Sequence, residues 1–156
     1  MDRRHHQPAA TDREDQVARV GPPVHGAAAC ARVRQLAHDK TVTDARKLDI
    51  DHVVPLAEAW DSGASKWTSE RREKYANDLD ADRSLVAVSL GPNRTKGDKD
   101  PAEWMPPAKD ATCTYATDWV AAKLRWKLTA DRTETKALRT IAADCKGSTV
   151  SFTPAP

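Results

Sequence analysis

Long apolar segments are missing from this sequence of 156 residues. No run approaches the roughly 20 apolar residues that a membrane-spanning helix needs, so we expect no membrane-embedded part. The first residues also lack the apolar stretch that a signal peptide would show. An export signal is therefore not expected in the sequence as it stands.

Net charge is also small, because 25 Lys and Arg residues are offset by 23 Asp and Glu residues, which leaves +2. A protein that bound nucleic acid through its overall field would be far more basic. Any affinity for phosphate must therefore come from a local cluster of cations. A hydrophobic content of 39% over this length predicts one domain with a single core and a polar surface.

The beginning of the chain shows no structural period. Residues 1–38 mix charged residues with Pro, Gly and Ala, a composition that predicts a poorly ordered arm. Periodic patterns begin near Thr41. We therefore predict a folded domain over residues 39–147, followed by a tail over residues 148–156.

Apolar and acidic residues alternate in the first periodic stretch. Leu48 and Ile50 alternate with Asp49 and Asp51. This period of two predicts a strand over residues 48–54, with both carboxylates on one face.

A second strand is predicted over Leu85–Leu90, where small and large apolar residues again follow one another. Gly91 and Pro92 come directly afterwards, and this pair predicts a turn. The polar residues that follow are then expected to lie in or just beyond that turn.

Local signals also predict short helices. One is predicted over Leu56–Trp60 and another over Thr68–Asn77, whose first residue is a suitable N-cap. Asp100 followed by Pro101 predicts a further helix start. The two prolines at 106–107 would end that helix after about a turn and a half.

The C-terminal part has the pattern of two antiparallel helices joined by a tight turn at residues 128–130. Asp131 and Glu134 form a capping box for the second of these helices. Apolar residues recur at helical spacing in each; one stripe is Tyr115, Trp119, Ala122 and Trp126, and the other is Ala137, Leu138, Ile141 and Cys145.

Three cysteines are an odd number, which in an oxidising compartment indicates one disulfide and one unpaired thiol. The alternative is three reduced thiols in a cytosolic protein. The predicted helical pair brings Cys113 near Cys145 and favours a disulfide between them. Cys30 is left without an assigned partner.

Reactive side chains follow both predicted strands. Asp51 and His52 stand near the end of the first strand, and Asn93 follows the second. Metal-assisted phosphodiester hydrolysis needs an oxygen ligand for the cation, an imidazole to deprotonate water and positive groups for the phosphate. The positive groups would come from a nearby cluster of Arg94, Lys96 and Lys99.

Taken alone, an Asp-His pair after a strand is usually an ordinary polar turn. Here it belongs to Asp-His-Val-Val-Pro at residues 51–55, and Asn-Arg-Thr-Lys-Gly-Asp follows at residues 93–98. These two sequences resemble the halves of the HNH, or ββα-metal, nuclease site. Over residues 41–145 the chain resembles small secreted actinobacterial HNH nucleases related to the C-terminal domain of GmrSD-type restriction enzymes.

Two features depart from the HNH pattern. Ser84 stands where relatives have an Asn that ties down the loop carrying the His, so that role would fall to Ser84 or to another residue such as Asn77. Ser89 and Pro92 stand where many relatives have the Cys-x-x-Cys of a structural zinc site. No zinc ribbon is therefore expected.

The resemblance implies an α+β fold with a ββα-metal core, a two-stranded antiparallel hairpin, flanking helices and the C-terminal helical pair. It also implies a metal-dependent endonuclease in which Asp51 and Asn93 bind one divalent cation and His52 is the general base. Mg²⁺ suits so few oxygen ligands best; Mn²⁺, Ni²⁺ and Zn²⁺ are alternatives, although zinc prefers a further imidazole or thiolate. Asp49 would either orient the site or be an ordinary strand carboxylate.

On the same resemblance, Arg94, Lys96 and Lys99 would bind the phosphates of nucleic acid, with DNA preferred over RNA and little sequence specificity. Two alternatives stay open: a non-catalytic nucleic-acid-binding relative, and an interbacterial toxin domain that an immunity protein blocks. The resemblance further implies a secreted monomer with no membrane partner, although the sequence shows no export signal.

Overall fold

The computed structural model describes residues 44–156. The predicted arm at residues 1–38 and Cys30 lie outside this part. The described residues form two strands and five α-helices in the order β1 Leu48–His52, α1 Leu56–Asp61, α2 Ser69–Ala76, β2 Leu85–Ser89, α3 Leu90–Lys96, α4 Thr112–Trp126 and α5 Arg132–Asp144. Short 3₁₀ turns lie at Ala45–Lys47, Ala64–Lys66 and Lys109–Ala111.

The two strands pair as an antiparallel hairpin, from Leu48 opposite Ser89 to His52 opposite Leu85. The predicted α+β class is confirmed, and both strands are close to their predicted positions. β1 is shorter than predicted, because the chain leaves the ladder after His52 and bends through Val53 toward the start of α1. His52 is therefore the last residue of β1.

The turn predicted at Gly91 and Pro92 is wrong, since both residues lie in the first turn of α3. A helix tolerates Pro there because the first amides have no partner within the helix, and the fixed φ of Pro suits helical backbone. α3 ends at Lys96, and Gly97 follows with a φ of +53°, which is readily adopted only by glycine. The helix therefore starts directly after β2 and carries Asn93 back across the hairpin.

The prediction of a helix that starts at Asp100 is also wrong. Residues 101–103 form only a turn. The Asp100 carboxylate does cap this turn as expected, with its Oδ1 accepting from the backbone N–H of Ala102 at 2.6 Å and of Glu103 at 3.3 Å. The prolines at 106–107 follow too closely for helical hydrogen bonds to propagate.

α1 and α2 match their predicted positions to within one residue at each end. Thr68 caps α2 as predicted, because its Oγ1 accepts from the N–H of Arg71 at 3.3 Å. None of the helices within residues 44–156 is both long and apolar enough to cross a bilayer.

The core is formed by residues of α1, α2, β2 and α4 and of the loop after β1. All four residues of the first predicted stripe are buried, which confirms the period found in the sequence. Each large apolar side chain contributes roughly 1.5–3 kcal/mol when fully buried. The core residues include Val53, Val54, Tyr75, Val86, Val88, Tyr115, Trp119, Ala122 and Trp126.

Lys123 on α4 is the centre of a buried polar cluster. Its Nζ lies 2.8 Å from the carboxylate of Glu58, 2.9 Å from the hydroxyl of Ser62 and 2.9 Å from the carbonyl of Thr129. It also pairs with Glu134 on α5 at 2.6 Å. One ammonium group therefore joins α1, α4 and α5, and its hydrogen bonds offset the cost of burying the charge.

The predicted capping box is formed only in part. Asp131 Oδ1 accepts from the N–H of Glu134 at 2.8 Å, so Asp131 is the N-cap of α5. The Glu134 carboxylate does not return a bond to Asp131; it accepts from Trp119 Nε1 at 2.6 Å and from Lys123 at 2.6 Å. The Glu134 side chain is buried against α4 and therefore does not complete the capping box.

The predicted disulfide is confirmed. Cys113 at the start of α4 and Cys145 just after α5 are bonded, with their Cα atoms 5.5 Å apart and a sequence separation of 32. The antiparallel arrangement of α4 and α5 brings the two positions together.

Replacing both Cys113 and Cys145 by Ser is expected to lower the free energy of unfolding by about 3–4 kcal/mol, because the unfolded chain gains the freedom of an open loop. Urea unfolding of the oxidised protein and the double variant measures this loss. Wild type assayed in excess reductant is the control and should match the variant. A loss below ~1 kcal/mol would show that the bond adds little to the packing of α4 on α5.

Candidate active site

Asp49 and Asp51 lie on the same face of β1, as the alternation predicts, and this face meets α3. Asn93 Nδ2 donates to Asp49 Oδ2 at 3.1 Å, and both side chains are half-buried. Asp51 is 8% exposed and contacts Lys96, one helical turn beyond Asn93. α3 therefore contacts the two carboxylates with two different side chains.

Lys96 and Asp51 form a buried ion pair. Lys96 Nζ lies 2.8 and 2.7 Å from the two carboxylate oxygens of Asp51 and 2.7 Å from the carbonyl of His52. The Lys96 side chain is 0% exposed. Its three ammonium protons match three acceptors, which is the arrangement that a buried charge requires. Burial raises the pKa of Asp51 and lowers the pKa of Lys96, and the attraction between the two charges opposes both shifts.

This geometry corrects the phosphate-binding role predicted for Lys96. A side chain that is fully buried, with each proton bonded inside the protein, presents no charge to an external phosphate. Arg94 and Lys99 are exposed, as that role requires. Lys99 Nζ also donates to the carbonyl of Thr95 at 2.7 Å.

His52 points to the opposite side of β1 from Asp51 and is half-buried. Its ring stacks on Tyr75 of α2, with ring centroids 5.9 Å apart and planes inclined by 28°. His52 Nε2 lies 3.0 Å from the carbonyl of Ala76. Because a carbonyl only accepts, Nε2 carries a hydrogen, and in the neutral ring Nδ1 is the atom that can take a proton.

The electrostatic surroundings favour the neutral imidazole. Burial lowers the pKa of His52; the contact with Ala76 and the charge of Asp51 oppose that shift without cancelling it. Burial therefore favours the unprotonated ring, which is the state that a general base needs.

Backbone hydrogen bonds hold the segment that follows His52. The N–H of Val53 donates to the carbonyl of Ser84 at 3.1 Å. The hydroxyl of Tyr75 donates to the carbonyl of Val54. Tyr75 therefore contacts both the imidazole and the loop behind it.

Ser84 contacts the loop after His52 through its backbone carbonyl, and its side chain contacts Asp78, a residue that the sequence did not single out. Ser84 Oγ donates to Asp78 Oδ2 at 2.5 Å. Asn77 is exposed, and its side chain donates to the carbonyl of Glu73 at 2.9 Å within the end of α2. The structure does not place Asn77 in a supporting role.

Asp78 is the centre of a second buried cluster. It accepts two bonds of 2.8 Å from Arg125 and one of 2.8 Å from Trp126 Nε1, in addition to the bond from Ser84. Burial alone would raise the pKa of Asp78, but these hydrogen bonds and the charge of Arg125 outweigh it and hold the pKa at about 2. Arg125 also donates to the carbonyl of Thr153 at 2.7 Å, so the C-terminal tail packs against α4.

No sequence pattern pointed to Asp78, because Arg125 lies 47 residues further along the chain. The cluster joins the loop before β2 to α4. Asp78 follows the carbonyl of Ala76 by two residues, so the same cluster fixes the end of α2 that contacts His52.

The oxygen atoms that face α3 have the chemistry that Mg²⁺ prefers, since Asp49 and Asp51 offer carboxylates and Asn93 offers an amide oxygen. Within residues 44–156, no group of three or more His, Cys, Asp or Glu side chains is arranged to hold a metal ion. The ammonium of Lys96 already neutralises Asp51. These three side chains therefore offer the donor types that a divalent cation takes, while both oxygens of Asp51 are bound by Lys96.

The antiparallel hairpin is followed directly by α3, which crosses its acidic face, and His52 lies at the end of β1. This arrangement is consistent with a small HNH-like fold. A sequence model of the family described as GmrSD restriction endonucleases, C-terminal domain, matches residues 28–141. The chain belongs to this family. Membership supports the resemblance to HNH-type nucleases.

One similar protein is named an uncharacterized secreted protein and comes from Arthroderma benhamiae. It is 42% identical over 105 residues, which cover 67% of this chain and 51% of that protein. The chain thus spans about half the length of this relative. The relative is fungal, so neither match supports the expected actinobacterial branch. No solved structure matches the chain.

The pKa of Asp78 makes stability sensitive to acid. A carboxyl pKa held at about 2 rather than 3.8 stabilises the fold above pH 4, and about 2 kcal/mol of that stability is lost as pH falls from about 4 to about 2. We expect Asp78→Asn to be about 3–5 kcal/mol less stable than wild type at pH 6, since Arg125 loses its charged partner.

Urea unfolding at pH 6 and pH 2.5 measures the effect. The gap between wild type and Asp78→Asn should narrow at the lower pH. Asp80→Asn, a nearby change at an exposed position, is the matched control and should leave both values almost unchanged. A gap that is the same at both pH values would contradict the assignment.

Proposed function

We propose that this protein is a metal-dependent endonuclease of the HNH type that hydrolyses phosphodiester bonds in DNA, with His52 as the general base. The observation that carries the proposal is the state of His52. Its Nε2 is held by the carbonyl of Ala76, its pKa is lowered by burial, and its Nδ1 is left to accept a proton. Membership of a restriction-endonuclease family supports this reading.

In the proposed reaction, His52 Nδ1 accepts a proton from a water molecule whose oxygen forms the new bond to phosphorus. The bond to the leaving 3′-oxygen breaks, and that oxygen takes a proton from solvent. General-base assistance of this kind contributes about 10²–10⁴ in rate. The contacts of Ala76 and Tyr75 with the ring keep it in one orientation throughout.

Asp51 and Asn93 are the side chains that we propose hold the divalent cation, with Asp49 orienting Asn93 through their hydrogen bond of 3.1 Å. Mg²⁺ is the ion that best suits these oxygen donors. When bound, it would stabilise the negative charge of the phosphate during attack.

The exposed cations beside this site are Arg94 and Lys99, and we propose that they contact backbone phosphates. Such contacts position the nucleic acid without reading its bases. Low sequence specificity is therefore expected, and RNA is the second substrate to test.

Secretion is part of the proposal. The disulfide between Cys113 and Cys145 is typical of proteins from oxidising compartments. The fungal relative carries the word secreted in its name. Together they support a role outside the cytosol.

His52→Ala should lower the rate of DNA cleavage by about 10²–10⁴, because the variant lacks the proton acceptor. Relaxation of supercoiled plasmid in Mg²⁺, with EDTA as the blank, measures the rate. Asn77→Ala is the matched control, since Asn77 is exposed near the same end of α2 and should leave the rate unchanged. If wild type leaves the plasmid and RNA intact in Mg²⁺, Mn²⁺, Ca²⁺, Ni²⁺ and Zn²⁺, the proposed activity is wrong.

The pH dependence of cleavage should report the same histidine. Wild-type activity is expected to fall as pH drops through the pKa of His52, because the protonated ring cannot accept a proton. Burial places this limb below about 6.5, the ordinary value for histidine. Cleavage rates measured from pH 4.5 to 8 should show the limb in wild type and in Asn77→Ala. A limb centred above pH 7 would contradict the effect of burial.

A further inference from the structure

We infer that Lys96 is the resident counterion of Asp51 and that it competes with the divalent cation for this carboxylate. Cation binding then requires the ammonium group to leave Asp51. This inference rests on the proposed metal site, and it assigns Lys96 a positioning role that differs from phosphate binding.

The contacts of Lys96 carry the inference. Its Nζ reaches both oxygens of Asp51, at 2.8 and 2.7 Å, so the ammonium lies across the carboxylate where a cation would bind. The third bond, to the carbonyl of His52 at 2.7 Å, uses the remaining proton. In this state the carboxylate is already neutralised.

Like charges make simultaneous binding unfavourable. Asp51 carries one negative charge and is 8% exposed, so little water screens two positive groups that meet there. A divalent ion and an ammonium on the same buried carboxylate would repel each other strongly. Exchange avoids this repulsion and leaves Asp51 paired in both states.

The position of Lys96 in the chain is suited to exchange. It is the last residue of α3, and Gly97 follows with a φ of +53°. Burial lowers the pKa of Lys96, while the charges of Asp51 and Asp98 raise it. The carboxylate of Asp98, which is exposed, therefore also attracts the Lys96 ammonium.

The alternative hypothesis is that Lys96 and Asp51 form a static ion pair. In that case Lys96 would only stabilise the fold, and its removal would weaken cation binding or leave it unchanged. Under competition, its removal must strengthen cation binding, since the cation no longer has to displace a charge.

The test compares Lys96→Met with wild type in the complete chain and uses Mn²⁺ alone as the probe. Calorimetric titration gives the dissociation constant, and thermal unfolding with and without Mn²⁺ gives an independent measure. We expect Lys96→Met to bind Mn²⁺ at least about tenfold more tightly and to gain more thermal stability from it. Lys109→Met, the same change at an exposed lysine with no role in the proposed site, should bind Mn²⁺ as wild type does.

An Asp51→Asn and Lys96→Met double variant must lose the gain in affinity, because the carboxylate is the shared ligand. If Lys96→Met binds Mn²⁺ no more tightly than wild type, or if the double variant keeps the gain, the inference is wrong. Lys96→Gln, which removes the charge and keeps a polar end, serves if Lys96→Met does not fold.

The wild-type protein provides a measurement that does not depend on folding of variants. The ammonium protons of Lys96 should give a slowly exchanging NMR signal, which should disappear or shift when Mg²⁺ is added. A signal that is unchanged at saturating Mg²⁺ would overturn the inference. These measurements need no DNA. If wild type cleaves plasmid but Lys96→Met shows no gain in Mn²⁺ affinity, the inference alone is wrong. If the cation competes with Lys96 but no cleavage is found, only the proposed activity is wrong.

Discussion

The buried contact between Lys96 and Asp51 is the interaction on which the rest of the site depends. It fixes α3 against β1, and its third hydrogen bond holds the backbone of His52. A buried charge at either residue would be costly if it were left without any compensating partner. Asn93 lies one turn earlier on α3, so the same contact brings it beside Asp49. A single ion pair thus sets the place of the proposed metal ligands and of the proposed base.

Strand geometry imposes a second constraint, since neighbouring side chains on a strand face opposite sides. Asp51 faces α3, whereas His52 faces α2 and stacks on Tyr75. The two can serve one site only at the end of β1, where helices cover both sides. Asp78 supports this arrangement from behind, because it ties the end of α2 to Arg125 on α4. The C-terminal helices therefore help to hold the proposed site in place, although none of its proposed reacting groups lies on them.

Local sequence patterns correctly predicted the elements for which each signal allows only one structure. The alternation in β1, the N-cap of α2 at Thr68 and the spacing that pairs Cys113 with Cys145 all agree with the structure. Prediction failed where one local signal had two structural outcomes. Pro92 suits both a turn and the first turn of a helix, and Asp100 caps a turn as well as it caps a helix. The choice between such outcomes depends on what the following residues pack against.

The sequence by itself determined that Asp51 and His52 close the first strand and that Asn93 follows the second, because these positions follow from local periodicity and a bipartite motif. Only the tertiary structure decided the state of each charge. Lys96 and Arg94 are two residues apart in one basic cluster, yet the first is fully buried and the second exposed. Burial depends on how α3 lies on β1, and no pattern within the cluster records that contact.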